Sequence, residues 1–195
     1  MAERILRVSE GQAAIFGYGS LLSQKSMEAT LGRNYDGEMV ACRLDGWRRT
    51  WDIAMPNQQF FTETEQGRVY PENILYLNIG PDPLCSMNGV AFVVRADDVA
   101  GFDKREWIYD RIDISSQVRD IRLSSELWAY VGKPEYRMTG EQDFHKAAVR
   151  ASYLAIVEEG LASWDDEFRT QYRRSTDPVP TRLVIADHRQ AASGT

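Results

Sequence analysis

The spacing of hydrophobic positions changes several times along the chain. AAIFG, residues 13–17, is an apolar run of strand length, as expected of a strand buried on both faces. QKSMEATL, residues 24–31, reads as a short helix closed by Gly32. VACRLDGWRRTWDI, residues 40–53, alternates and carries aromatics, which predicts two strand segments about Gly46. Residues 56–74 are polar, broken by Pro56, Gly67 and Pro71, and lack a period, so a long loop and candidate lid is expected there. ILYLNIG (74–80) and GVAFVVR (89–95) follow as strands joined by the turn PDPLCSMN.

ADDVAGFDKREW (96–107) has helical spacing, with Val99, Phe102 and Glu106 along one side. IYDRIDIS (108–115) and LWAYV (127–131) alternate as strands. Phe144, Ala148, Ala151, Leu154 and Ala155 form a helical stripe that Gly160 is expected to end. Ser163, with Asp166 three positions on, reads as a capping box for a further helix through Tyr172. Strands fill the first two thirds and helices the last, which favours an α+β domain over a βαβ parallel sheet.

Length and charge narrow the function classes. At 195 residues the chain suits one domain with a sizeable core and a flexible C-terminal tail. A net charge of -6 argues against nucleic acid as a partner, which needs a basic surface. The cluster Arg169, Arg173 and Arg174 reads as the solvated face of a helix. The opening MAERILRVSEGQ has no apolar core of signal-peptide length, and no run approaches the ~20 residues that cross a bilayer. Cys42 and Cys85 are too few for a disulfide framework. A cytoplasmic protein without membrane or nucleic-acid partners is expected.

Two segments carry candidate chemistry. In AIFGYGSLLS (14–23), Gly17 and Gly19 end a strand-like run, which by itself fits a plain tight turn best and a backbone cradle for an anion or oxyanion second. Leu22 stands where a dinucleotide fingerprint needs its third glycine, and no lysine follows as a P-loop requires. Tyr18 and Leu22 occupy the glycine positions of a nucleophile elbow, so Ser20 is a poor nucleophile. Only His145 and His188 are available as imidazole bases, and zinc-ligand spacings are absent. In FDKREWIYDRIDI (102–114), Glu106 falls where helix gives way to strand, among Phe102, Trp107 and Tyr109. A carboxylate there is either a desolvated acid/base group or a surface partner of Lys104 or Arg105.

Together the segments resemble the γ-glutamylcyclotransferase-like superfamily. Its members pair a YGSL-type loop after the first strand with a later D-x-R-E-x-x-Y-x-R-x-x-V/I stretch. Here those residues are Tyr18, Gly19, Ser20 and Leu21, then Asp103, Arg105, Glu106, Tyr109, Arg111 and Ile114. YLAIVEEG is similar to the family's late helix, with Tyr153 seven residues before Gly160, and GWRRTW to its second-strand pair.

The likeness covers roughly residues 13–175. It implies a mixed, barrel-like sheet flanked by helices and cyclisation of a small γ-glutamyl compound to 5-oxoproline. It also implies no metal or cofactor; a monomer or homodimer is expected. By the same likeness Glu106 is the acid/base, Tyr18, Gly19, Ser20, Leu21 and Leu22 bind the glutamyl group, and Tyr109 and Tyr153 are substrate contacts. The competing classes are a catalytically silent binding module of the same fold and a hydrolase using Ser20 or Cys42.

Overall fold

A computed structural model describes residues 4–190. The chain begins with β1 (Arg4–Leu6) and β2 (Gln12–Gly17), then a 3-10 turn (Ser20–Leu22) and helix α1 (Gln24–Leu31). Two long strands, β3 (Met39–Pro56) and β6 (Asn73–Arg95), bracket a hairpin of β4 (Phe60–Thr64) and β5 (Gly67–Val69). Helix α2 (Val99–Arg105) leads into β7 (Tyr109–Asp113), β8 (Val118–Arg119), β9 (Ile121–Leu123) and β10 (Leu127–Gly132). A single helical turn, α3 (Glu141–Phe144), and β11 (Ala147–Arg150) precede α4 (Ala151–Ala162) and α5 (Asp166–Arg174). The last described elements are β12 (Val184–Ile185) and β13 (His188–Arg189).

Strand β6 organises the fold. It is long enough to pair antiparallel with β2 and β3 and parallel with β11, in an eight-stranded sheet ordered β12-β11-β6-β2-β10-β7, with β3 on β6 and β8. β2 and β10 run parallel while β10 and β7 run antiparallel. The sheet is therefore mixed and flanked by helices, the α+β architecture expected. Its centre is apolar: Phe16, Leu44, Leu75, Phe92 and Phe102 are fully buried, each contributing roughly 1.5–3 kcal/mol.

Local readings failed wherever a strand bends or a partner lies far off in sequence. Residues 81–88 do not end a strand. The ladder passes from Trp47↔Pro81 to Asp45↔Ser86, so residues 82–85 bulge outward, leaving Leu84 almost wholly exposed. Gly46, at φ +82, makes the matching break in β3, which is one strand rather than two segments. Residues 56–74 are not an unstructured loop but contain the β4–β5 hairpin, to which β13 adds a third strand.

The tail, expected to be flexible, is paired into sheets as far as β13; its residues 191–195 lie outside the described residues. Phe144 and Ala148 do not share a helix with Ala151, because β11 intervenes and α4 starts only at Ala151. Gly160 lies within α4 instead of ending it. A β-carbon there would sit 2.7 Å from the backbone of Leu22 and Ser23, so glycine lets α4 pack on the 3-10 turn. Helix α5 is capped by Asp165, whose carboxylate accepts from the Phe168 N–H, and not by Ser163.

Candidate active site

The turn after β2 folds back so tightly that a β-carbon on Gly17 would lie 2.8 Å from the Leu21 carbonyl oxygen. One on Gly19 would lie 3.0 Å from the Tyr153 hydroxyl, so the glycine gives α4's tyrosine access to the loop backbone. Tyr18 is pinned at both ends. Its hydroxyl donates to the Tyr130 carbonyl at 2.6 Å, and its own carbonyl accepts from Arg49 Nε at 3.1 Å and the Tyr172 hydroxyl at 2.9 Å.

Arg49 supports this loop from behind. Fully buried, it also donates to the Tyr172 carbonyl, Ser175 Oγ, Thr176 Oγ1 and Asn88 Oδ1, and lies 3.7 Å over the Tyr172 ring. Burial lowers its pKa to about 10, which leaves it charged at neutral pH. The sequence carries a signal for it: Trp47, Arg49 and Trp51 alternate onto one face of β3, and all three are buried.

Glu106 enters from the opposite side. It closes α2, its N–H donating to the Phe102 carbonyl and its carbonyl accepting from the Tyr109 N–H, both at 2.8 Å, so it occupies the corner between α2 and β7. Its side chain is 16% exposed and pairs with Arg105 Nε at 3.0 Å. Burial raises the carboxyl's pKa, and the Arg105 charge opposes that rise. Arg105 also donates to Ser20 Oγ (2.8 Å), Ser26 Oγ (2.9 Å) and Thr30 Oγ1 (2.6 Å), fastening the glutamate's corner to the loop and to α1.

Beside a chamber of about 250 Å³ that Arg150 helps to wall, loop and glutamate meet at a small chamber of about 30 Å³. Tyr18, Gly19, Ser20, Leu21, Glu106, Tyr109 and Tyr153 all line it. Leu22 does not: it is buried and backs onto Gly160. Phe16, Leu77 and Tyr130 complete the wall. Tyr130 looked like an ordinary strand residue because its place beside the loop depends on the parallel β2–β10 pairing, which no local pattern shows.

The chamber's polar groups divide by what they can do with a proton. Burial pushes the phenols of Tyr18, Tyr109, Tyr130 and Tyr153 upward, so they stay protonated. Tyr109 donates to the Leu77 carbonyl (2.8 Å) and Tyr130 to Asp103 Oδ1 (2.7 Å). Tyr153 is held edge-on by Tyr76 and Trp51. Glu106 is the wall's one carboxylate. Ser20 has a guanidinium, not a base, against its hydroxyl, and Cys42 is buried elsewhere with its thiol pushed up by burial. His145 and His188 are exposed and outside the wall. Among the described residues no three His, Cys, Asp or Glu side chains converge as a metal site requires, and no helix is long and apolar enough to cross a membrane.

Solved structures share this fold. A γ-glutamyl cyclotransferase superposes with a TM-score of 0.58 at 14% identity, covering 87% of this chain and 90% of that one. The human protein loc79017 gives 0.56 at 14% identity, covering 88% and 91%. YkqA from Bacillus subtilis gives 0.55 at 16% identity, covering 85% of this chain and 54% of YkqA. No family model and no curated protein matches the sequence. The chain thus has the γ-glutamyl cyclotransferase fold, and its chemistry rests on its own side chains.

Proposed function

We propose that the protein is an enzyme that cyclises γ-glutamyl compounds, releasing 5-oxoproline and the amine that had been attached. The observation that carries this reading is Glu106, a carboxylate with a raised pKa facing a glycine loop across a chamber otherwise lined by protonated phenols and apolar groups. In cyclisation the nucleophile, the α-amine, belongs to the substrate, so the protein need supply no serine, cysteine or metal. What it must supply is a folded pose for the glutamyl chain, a proton carrier and an oxyanion site. Orientation of this kind is worth up to ~7–11 kcal/mol.

Glu106 takes a proton from the α-ammonium, and the freed amine attacks the γ-carbonyl to form the new C–N bond. The oxyanion that develops is met by N–H groups at Gly19 and Ser20, which a 3-10 turn leaves without acceptors inside the turn. Glu106 then protonates the departing nitrogen as the old C–N bond breaks. It carries a second proton the same way, so two leave the ammonium and two reach the released amine. No water is consumed.

The decisive assay is release of 5-oxoproline from a panel of γ-glutamyl amino acids, peptides and amines. Turnover of at least one member in chelator-treated buffer is expected. Silence across the panel, with ligand still bound, would favour a binding module of the same fold.

A further inference from the structure

Arg105 is the last residue of α2, immediately before Glu106, and every nitrogen of its guanidinium is engaged. Nε lies 3.0 Å from Glu106 Oε1. One terminal nitrogen donates to the Ser26 carbonyl (2.9 Å) and Thr30 Oγ1 (2.6 Å), and the other to Ser20 Oγ (2.8 Å) and Ser26 Oγ (2.9 Å). A guanidinium carries five N–H groups in one rigid plane, so none is left over for a substrate. What Arg105 contributes to a reaction it contributes through the residues it holds.

Those residues belong to three separate elements: the 3-10 turn of the glycine loop, helix α1, and the corner that carries Glu106. Helix α1 is the fixed point, gripped at Ser26 and Thr30. From there the plane of the guanidinium sets where Ser20 and Glu106 stand relative to each other. The grip takes one carboxylate oxygen, Oε1, so the second is free to take a proton.

We propose that Arg105 is a positioning residue for the cyclisation: a single guanidinium fixes the Glu106 carboxylate and the Ser20 turn at one spacing and supplies the charge against which Glu106 works as a base. The inference rests on the γ-glutamyl reading above. Proton carrier and oxyanion site act on the same substrate carbonyl, so an error in their spacing reaches both steps.

The same charge governs when Glu106 is a carboxylate. Burial pushes its pKa up and Arg105 opposes the rise. Tyr18, Tyr109, Tyr130 and Tyr153, which face it from the loop, β7, β10 and α4, stay protonated, as does Tyr76 of β6. Arg150, on the wall of the larger chamber, lies 3.6 Å from Asp187. Removing Arg105 therefore leaves the effect of burial unopposed.

The test is the pH profile of kcat/KM for 5-oxoproline release by Arg105→Met and Arg105→Lys, with the best substrate of the panel. Arg105→Met should move the acid limb to higher pH by about 1 unit, because an opposite charge beside a carboxylate lowers its pKa by that order or more. On the plateau kcat should remain at least ~10-fold down with KM little changed, because the spacing is lost. Arg105→Lys keeps a charge without the rigid fork, so its acid limb should stay near wild type while kcat is still at least ~10-fold down. An acid limb at the wild-type position in Arg105→Met would overturn the proposal, because an arginine that only supports the fold changes the folded fraction and moves no pKa. Wild-type kcat in Arg105→Lys would overturn it as well, and decides the matter if Arg105→Met does not fold. Wild-type protein inactive on every γ-glutamyl compound would instead bring down the γ-glutamyl reading and this inference with it.

Discussion

Two buried charges stand on either side of the glycine loop, and they are built in opposite ways. Arg49 faces no cavity and has five acceptors around it: the carbonyls of Tyr18 and Tyr172, and the side chains of Asn88, Ser175 and Thr176. Glu106 has one charged partner, Arg105, and an open chamber in front of it. A buried charge whose hydrogen bonds are all made holds structure in place. A buried charge with few partners and space before it is poised to exchange a proton. The loop between them owes its shape to the first and, on this account, its chemistry to the second.

The contrast breaks most visibly at Arg49. Arg49→Met removes the donor for five acceptors, four of them buried, and the loss of stability in denaturant unfolding should be at least ~3 kcal/mol. A loss below ~1 kcal/mol would show that the loop does not depend on this anchor. The next effect is at Gly19. Gly19→Val should lower kcat/KM at least ~100-fold with the fold retained, since the new side chain displaces the Tyr153 hydroxyl 3.0 Å away. Ser20→Ala, which removes only an acceptor for Arg105, should cost less than ~10-fold. The reverse order would return Ser20 to consideration as a nucleophile.

A smaller effect sharpens the comparison through pH. Burial raises the Glu106 carboxyl above its ordinary value of 4.5. The folded protein therefore holds that proton more tightly than the unfolded chain. The stabilisation this gives is complete below the unfolded value and is lost as pH rises through the folded one. Glu106→Gln should accordingly melt at a higher temperature than wild type at neutral pH, and the gain should vanish at acid pH. The acid limb of kcat/KM should likewise lie above the range of an exposed carboxylate.

How much of this was legible in the sequence depended on the range of the interactions. Glu106 could be singled out because the helix-to-strand change and the aromatic neighbours lie within a few residues of it. The glycine loop was legible for the same reason. Leu22 was grouped with the loop by adjacency, yet the 3-10 turn points it into the core against Gly160. Tyr130 and Arg150 reach the cavity through parallel strand pairings, β2 with β10 and β6 with β11, which join residues far apart in the chain. The β4–β5 hairpin was hidden because polar, exposed strands lack the alternation that a buried face imposes. Gly160 read as a helix stop because a glycine needed for close packing has the same letter as one needed to end a helix.

The central claim is that Glu106 moves the protons of cyclisation. Glu106→Gln keeps the side chain's size but cannot accept a proton from the α-ammonium. With the best γ-glutamyl substrate of the panel, 5-oxoproline release by this variant should fall by about 10²–10⁴-fold, while substrate affinity changes far less and the protein remains folded. Turnover at the wild-type rate would contradict the account and leave Glu106 as no more than a largely buried ion-pair partner of Arg105.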